Sequence, residues 1–251
     1  MSFSRTYIMI CSAIFIGLSV SCKKQEDRRC FKTLGEESQI SFSLPDPGRL
    51  NLKSGLRFLL VQDDSNYAIV RGGKNIIGQV KWQKAENGYL EIFTEDKCRF
   101  LRDQNELPSV EIHLKDVWDL RYEGSDVLET QDTLHLDFLD FVILDACGTM
   151  NLTLNIDTLS GTVAYGWGDY KLRGQANRVS LGIRSNGYCD LRDFRVKQLY
   201  EVKQQSVGDM HIFVDQVPLS GYITGSGNIY YSGIPSSINI TSYSEGQIIK
   251  E

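Results

Sequence analysis

The chain has 251 residues, with 27 lysines and arginines against 32 aspartates and glutamates, and a formal net charge of −5. This acidic balance disfavours nucleic acid as a partner. The length suits one elongated domain or two small ones.

The first 21 residues have the layout of a secretory signal peptide. Arg5 supplies a positive start, an apolar run follows over residues 7–20, and small residues precede Cys22. The run is too short to span a bilayer. The segment Leu18-Ser19-Val20-Ser21-Cys22 resembles the lipobox of bacterial lipoproteins, which predicts cleavage before Cys22 and lipidation of its thiol. An ordinary secretory signal with an incidental Cys22 is the alternative.

Residues 22–29 follow as a polar tether between the lipid and the folded part. We expect the lipid to be the membrane anchor, because no later segment is apolar enough to cross a bilayer.

Residues 30–112 are predicted to form an N-terminal β-rich cap. Short apolar runs alternate there with turn signals such as Gly72-Gly73 and Asn87-Gly88. Residues 75–79 fit a single helical turn.

Residues 113–251 contain a repeat whose copies lie 19 to 21 residues apart. Each copy has a small residue two places before a glycine and, with one exception near the C-terminus, apolar residues two and four places after it. Residues 124–127 fit a degraded further copy that lacks the central glycine. The central glycines are Gly148, Gly168, Gly187, Gly208, Gly227 and Gly246.

This repeat predicts an all-β fold, a parallel β-solenoid (β-helix) with coils of about 20 residues. Apolar residues two apart share one face of a strand, and glycine suits a turn with positive φ before that strand. One coil cannot bury its own apolar face, but stacked coils build a continuous core. A β-sandwich of evenly spaced hairpins is the alternative, although it does not require one residue class at six equivalent positions.

The repeat also limits the possible disulfides. Cys189 takes a core position and Cys147 a turn position two coils away, which is too far for a disulfide bond. With Cys22 lipidated and one further cysteine lost with the signal peptide, Cys30 and Cys98 remain as the suspected pair. The alternative is that all the cysteines of the folded part stay reduced.

The segment Gly225–Ser237 reads GSGNIYYSGIPSS and is similar to the C-terminal signature of the "putative auto-transporter adhesin, head GIN domain" family. Lys97–Arg102, Cys30–Lys32 and the Gly-Asp turns at 168–169 and 208–209 are further matches. The likeness covers residues 30–251. It implies a β-solenoid domain of the cell envelope, of a kind common in lipoproteins of the Bacteroidetes.

The charges of the tether indicate on which side of the outer membrane the domain lies. Surface export in Bacteroidetes is often associated with an acidic run directly after the lipidated cysteine. Lys23 and Lys24 stand there instead, which favours the periplasmic side.

No motif for catalysis, metal binding or cofactor binding is found. The chain lacks Gly-x-Ser-x-Gly, His-Glu-x-x-His and a phosphate-binding loop. Its three histidines lie in strand-like runs, and the acidic residues at 137, 140 and 145 do not have the spacing of a calcium loop. We therefore predict no enzyme activity, no cofactor and no metal site.

Exposed aromatic residues predict a binding surface instead. Trp167, Tyr188 and Tyr230 flank repeat glycines at places that do not face the core, and ordinary surface aromatics are the alternative. Two Asp-Thr-Leu triplets, at Thr133 and Thr158, resemble the O-glycosylation site of exported Bacteroidetes proteins.

The predicted function is non-enzymatic binding or adhesion of a lipid-anchored outer-membrane protein to a glycan or an envelope protein. The first alternative is a periplasmic module that supports or senses the envelope without adhesion. The second is a glycan-cleaving enzyme, which would need a ladder of acidic or basic residues along one solenoid face.

Overall fold

The computed structural model describes residues 33–98 and 106–251. The N-terminal half holds nine strands and one helical turn: β1 (Glu37–Ser43), β2 (Arg49–Lys53), β3 (Arg57–Gln62), β4 (Tyr67–Gly73), α1 (Lys74–Ile77), β5 (Val80–Lys84), β6 (Leu90–Thr94), β7 (Ser109–Leu114), β8 (Asp119–Glu123) and β9 (Val127–Thr130). Within these two ranges, no helix is long and apolar enough to span a bilayer.

The C-terminal half is built of strands alone, and each strand pairs in parallel with strands of the neighbouring coils. Three of these strands are long enough to run along two sides of a coil. The strands are β10 (Leu134–Ile143), β11 (Thr149–Val163), β12 (Asp169–Ser185), β13 (Tyr188–Ser206), β14 (Met210–Phe213), β15 (Pro218–Ile223), β16 (Ile229–Ser232), β17 (Ser237–Ser242) and β18 (Ile248–Lys250).

The core consists of columns of side chains that run along the stack. The residues two places after the repeat glycines form one such column, and each is paired with its counterpart in the next coil. The predicted parallel β-solenoid is thereby confirmed. The full column, in stack order, is Val110, Phe58, Leu128, Met150, Tyr170, Cys189, Met210, Ile229 and Ile248.

The repeat glycines are needed for close packing between coils and not for the positive φ that the sequence predicts. None of the six has a positive φ. Each lies instead against the coil before it. A Cβ on Gly168 would lie 2.5 Å from Ile143 Cγ2, and one on Gly187 would lie 2.9 Å from Val163 Cβ. Glycine is required there because stacked turns approach too closely for any side chain.

The N-terminal part does not form a cap separate from the stack. β2 pairs in parallel with β6 and with β8, and β3 pairs in parallel with β7 and with β9. Residues 49–62 thus supply a coil that lies between segments made 40 to 70 residues later in the chain. The predicted boundary at residues 112 and 113 is not a change of architecture, because the parallel columns continue through it.

Antiparallel strands close this end of the stack. β4 pairs antiparallel with β7 and with β1, and β5 pairs antiparallel with β6. The predicted helical turn is present as α1. The predicted signal peptide (1–21), tether (22–29) and lipidation site Cys22 lie outside the described residues and stay predictions.

A buried histidine joins three of these elements. His113 of β7 lies with Nδ1 2.8 Å from Asp63 Oδ2, just after β3, and Nε2 2.7 Å from Glu111 Oε1. Tyr67 of β4 stacks on its ring at 4.1 Å. The hydrogen bond from His113 lowers the pKa of Asp63. Burial alone would raise the pKa of Glu111, but hydrogen bonds from Arg71 and His113 outweigh it and lower that pKa.

Candidate functional site

The three aromatic residues predicted to bind lie on two parts of the surface. Tyr188 and Tyr230 both lie against His211, with ring centroids 5.6 Å and 4.9 Å from its imidazole. Trp167 lies in a turn of an earlier coil, is 68% exposed, and makes no ring contact with the other two in the described part of the chain. The structure therefore brings together two of the three.

The Tyr188–His211–Tyr230 stack uses its ring faces internally. The His211 and Tyr230 rings are inclined by only 8°, and His211 Nδ1 lies 3.0 Å from Glu251 Oε1. A sugar packs on an aromatic residue through a free ring face, and here those two rings face each other. The faces of His211 and Tyr230 that meet each other are therefore not available to a ligand.

A concave site lies elsewhere, on the four longest strands, β10 to β13. We call it the polar groove. It encloses about 330 Å³. Along the groove, one residue in each strand has no ladder partner in the next coil, and the side chains there face solvent. Its lining residues are His135, Leu136, Asp137, Asn155, Ile156, Asp157, Gln175, Ala176, Asn177 and Lys197.

One wall of the groove is a ladder of linked polar side chains. Gln175 Nε2 donates to Asn155 Oδ1 at 2.9 Å, and Asn155 Nδ2 donates to His135 Nδ1 at 3.2 Å. The proton of a neutral His135 is then on Nε2, which remains available as a donor. Gln62 of β3 extends this wall, because its amide exchanges two hydrogen bonds with the backbone of His135.

The opposite wall carries the charges. Asp157 accepts hydrogen bonds from Asn177 at 2.7 Å and from Thr158 at 2.9 Å, and Arg178 lies 3.4 Å away. The bonds from Asn177 and Thr158 are the main reason that the pKa of Asp157 is lowered. The carboxylate form of Asp157 is therefore favoured, and its neighbours hold it in place.

The floor of the groove is apolar and its ends are open. Leu136, Ile156 and Ala176 are at most 7% exposed, so they support the walls and present little surface themselves. Phe138 stands beside Asp137 and is 42% exposed. The groove thus presents a line of amides and carboxylates, and the exposed Phe138 ring follows the lining residue Asp137 in the chain.

The groove also holds a pair of carboxylates. Asp137 and Asp157 line it from adjacent coils, and such a carboxylate pair is what a glycosidase needs. The lowered pKa of Asp157 suits the ionised member of such a pair and not the general acid. No cluster of three histidine, cysteine or acidic side chains suited to a metal ion occurs in residues 33–98 and 106–251.

The remaining predicted site residues are placed as follows. Thr158 is half-buried in β11 and its hydroxyl donates to Asp157, and Thr133 is half-buried just before β10. Cys98 belongs to a disulfide, but Cys30 lies outside the described residues, so the pairing of these two stays a prediction. Cys147 and Cys189 are free thiols.

The polar groove is not apparent from the repeat pattern. Its wall changes from histidine to asparagine to glutamine, and a β-bulge after Ala176 shifts the spacing in the following coil. The signal that could reveal it is a run of polar residues at every second place, as in Asn155-Ile156-Asp157 and Gln175-Ala176-Asn177. That pattern alone also fits an ordinary solvated face.

Solved structures of bacterial proteins have the same fold. A "putative adhesin" from Bacteroides fragilis is 17% identical, with a TM-score of 0.75 over 86% of this chain and 97% of that chain. One from Parabacteroides distasonis is 18% identical, with a TM-score of 0.61 over 86% and 98%. A "putative lipid binding protein" from Parabacteroides distasonis is 18% identical, with a TM-score of 0.55 over 86% and 97%.

At these identities the likeness concerns the fold alone. No curated protein matches the chain. The family model described as "Putative auto-transporter adhesin, head GIN domain" matches residues 46–235, a stretch that includes the polar groove and every coil from β2 to β16. The chain therefore belongs to the head GIN domain family of adhesin-like proteins.

Proposed function

We propose that this protein is a lipid-anchored, non-enzymatic binding domain of the cell envelope, and that it holds a glycan in the polar groove. The observation that carries the proposal is the groove itself, with amide and carboxylate side chains from successive coils on a rigid apolar floor. Strands about 4.8 Å apart present these groups at regular intervals along the axis. A chain of hydroxyl-bearing rings is a suitable ligand for such a surface.

The anchoring and location rest on the sequence. Cys22, with the small residues before it, would carry the lipid, and residues 22–29 would give the solenoid slack above the membrane. Metabolic labelling with a palmitate analogue should mark the wild-type protein and not a Cys22→Ser variant. Equal labelling of both would exclude lipidation at Cys22.

The binding experiment uses a glycan array with the full-length protein purified in detergent. We expect retention of a subset of glycans and its loss in an Asn155→Ala/Gln175→Ala double variant, because truncating two groups that bond a ligand removes several hydrogen bonds. Asn239→Ala is the matched control, since Asn239 is an exposed asparagine of β17 away from the groove. Binding that survives the double variant, or a control that also loses it, would refute the groove as the site.

An enzyme is the second candidate, favoured only by Asp137 and Asp157 in adjacent coils of the groove. Incubating each retained glycan with the protein and separating the products tests it directly. Intact glycan after prolonged incubation supports a binding role. Cleavage that an Asp157→Asn variant abolishes would establish catalysis.

Location decides between adhesion and support of the envelope. Protease treatment of intact cells, with lysed cells as the control, should leave the protein protected if it lies on the periplasmic side that Lys23 and Lys24 favour. Digestion on intact cells would place the domain outside and make adhesion its direct role.

A further inference from the structure

The polar groove has opposite charges at its two ends. The coil of β10 contributes His135 and Asp137, and the Asp137 carboxylate has no hydrogen-bond or ion-pair partner in the described part of the chain. The next two coils contribute mostly neutral amides, apart from Asp157, which Arg178 faces at 3.4 Å. The coil of β13 contributes Lys197. Three coil steps, about 14 Å, separate the acidic end from the basic end.

A second cation, Arg195, lies two places before Lys197 in β13, next to the lining residues of the groove and not among them. Arg195 is the ladder partner of Gln175, so it continues the amide wall into the coil of β13. Its guanidinium lies over the Phe213 ring at 3.6 Å, and Nη1 donates to the carbonyl of Arg192 at 2.8 Å. Arg195 and Lys197 stand on either side of Val196, which is the ladder partner of the floor residue Ala176.

No carboxylate of residues 33–98 and 106–251 forms an ion pair with Arg195 or Lys197. The nearby acidic residues form ion pairs with other cations. Asp190 pairs with Lys171 and Arg192, and Asp193 pairs with Arg173 at 4.0 Å. Two exposed cations without carboxylate partners on a chain of net charge −5 form a local basic site. Stacking on Phe213 also holds the guanidinium in one orientation, which lowers the cost of ordering it on a ligand.

We propose that the groove takes an acidic glycan, with an anionic substituent of one sugar seated between Arg195 and Lys197 and the hydroxyls of the following sugars on the amide wall. This inference rests on the proposed function. Arginine binds a carboxylate or sulfate through paired N–H groups, while lysine adds a point charge. Asp137 at the other end accepts from sugar hydroxyls and disfavours a second anion, which gives the bound chain one direction.

The test compares three trisaccharide probes by isothermal titration calorimetry on the full-length protein in detergent. The probes are trigalacturonate, its methyl ester, which keeps the rings and linkages and loses the charge, and a 6-O-sulfated chitotriose. We expect at least one anionic probe to bind about tenfold or more tightly than the ester, because hydrogen bonds to charged groups are the stronger ones. An Arg195→Gln/Lys197→Gln variant should lose that preference, and added salt should weaken it.

Lys81→Gln is the matched control, since Lys81 is an exposed lysine of β5 away from the groove. It should retain the preference. Both altered side chains of the double variant are exposed, so it should fold like the wild type, with Tm lowered by at most about 4 °C through loss of the Arg195 contacts with Phe213 and Arg192.

The outcomes separate this inference from the proposed function. Preference for trigalacturonate or for the sulfated probe, lost in the double variant, supports the inference and identifies the anionic group. Equal binding of acid and ester that still depends on Asn155 overturns the acidic-ligand inference and leaves glycan binding intact. If no probe binds, and no glycan of the array is retained, both are overturned.

Discussion

One core column makes room for a large ring by having a glycine in the next coil. Phe141 and Gly161 are ladder partners, and Phe141 is fully buried. A Cβ on Gly161 would lie 2.5 Å from Phe141 Cδ1 and closer to two other ring atoms. Gly161 does not have a positive φ, so alanine there would meet a packing conflict and no backbone strain. We expect Gly161→Ala to destabilise the protein by about 2 kcal/mol, as overpacking commonly does.

Gly182, one coil further on, provides the matched control. It too lies inside a strand without a positive φ, but a Cβ there would come no closer than 3.2 Å, to Thr162 Oγ1. Gly182→Ala should change stability by no more than about 0.5 kcal/mol in either direction, because tighter contact and a less flexible unfolded chain offset each other.

Urea unfolding followed by circular dichroism measures both variants, and thermal unfolding should show a fall in Tm of about 4–8 °C for Gly161→Ala. Adding Phe141→Leu should recover part of that loss, with a coupling energy of about 0.5–1 kcal/mol or more. If Gly161→Ala unfolds like Gly182→Ala, or if its effect and that of Phe141→Leu are additive, then Phe141 does not fill the space at Gly161 and the reasoning is wrong.

Two further predictions concern ionisable groups. Asp63 and Glu111 have lowered pKa values in the folded state. Their ionised forms therefore stabilise the fold at pH values above about 4, the pKa of these groups in the unfolded chain, and this stability is lost as the pH falls through the lowered pKa values of the folded state. Tm should therefore fall between about pH 5 and pH 3, and His113→Gln should flatten that fall; equal slopes would show that His113 does not hold the carboxylates. Burial raises the pKa of Cys189 to about 12, whereas Cys147 is exposed. A maleimide should label Cys147 in the native protein and Cys189 only after unfolding, as read by peptide mass spectrometry, and rapid native labelling of Cys189 would contradict the buried placement.

Much of the solenoid could be predicted because its core residues recur at a nearly fixed spacing in the sequence. The residues two places after each repeat glycine, from Met150 to Ile248, are ladder partners in the structure. Even the degraded copy at 124–127 is in register, since Leu128 pairs with Met150. Burial of a column of apolar side chains requires the same residue class in every coil, and that requirement is visible in one sequence.

The polar groove and the placement of residues 49–62 could not be predicted in the same way. Groove side chains face water, so no packing requirement keeps one residue type at one spacing, and His135, Asn155, Gln175 and Arg195 share only polarity. The pairing of Phe58 with both Val110 and Leu128 joins segments 52 and 70 residues apart. Nothing in a local pattern specifies which distant strands a short apolar strand will join.

The coil formed by residues 49–62 also constrains the order of assembly. During synthesis these strands emerge first, but both of their neighbours in the stack are made later, so the apolar face of Phe58 and Leu60 stays uncovered until residue 130 has been added. Such long-range closure slows folding. The last coils, by contrast, add onto strands that already exist. Removing residues 49–62 would leave a gap in the middle of the stack, because among the described strands β6 does not pair with β8 and β7 does not pair with β9.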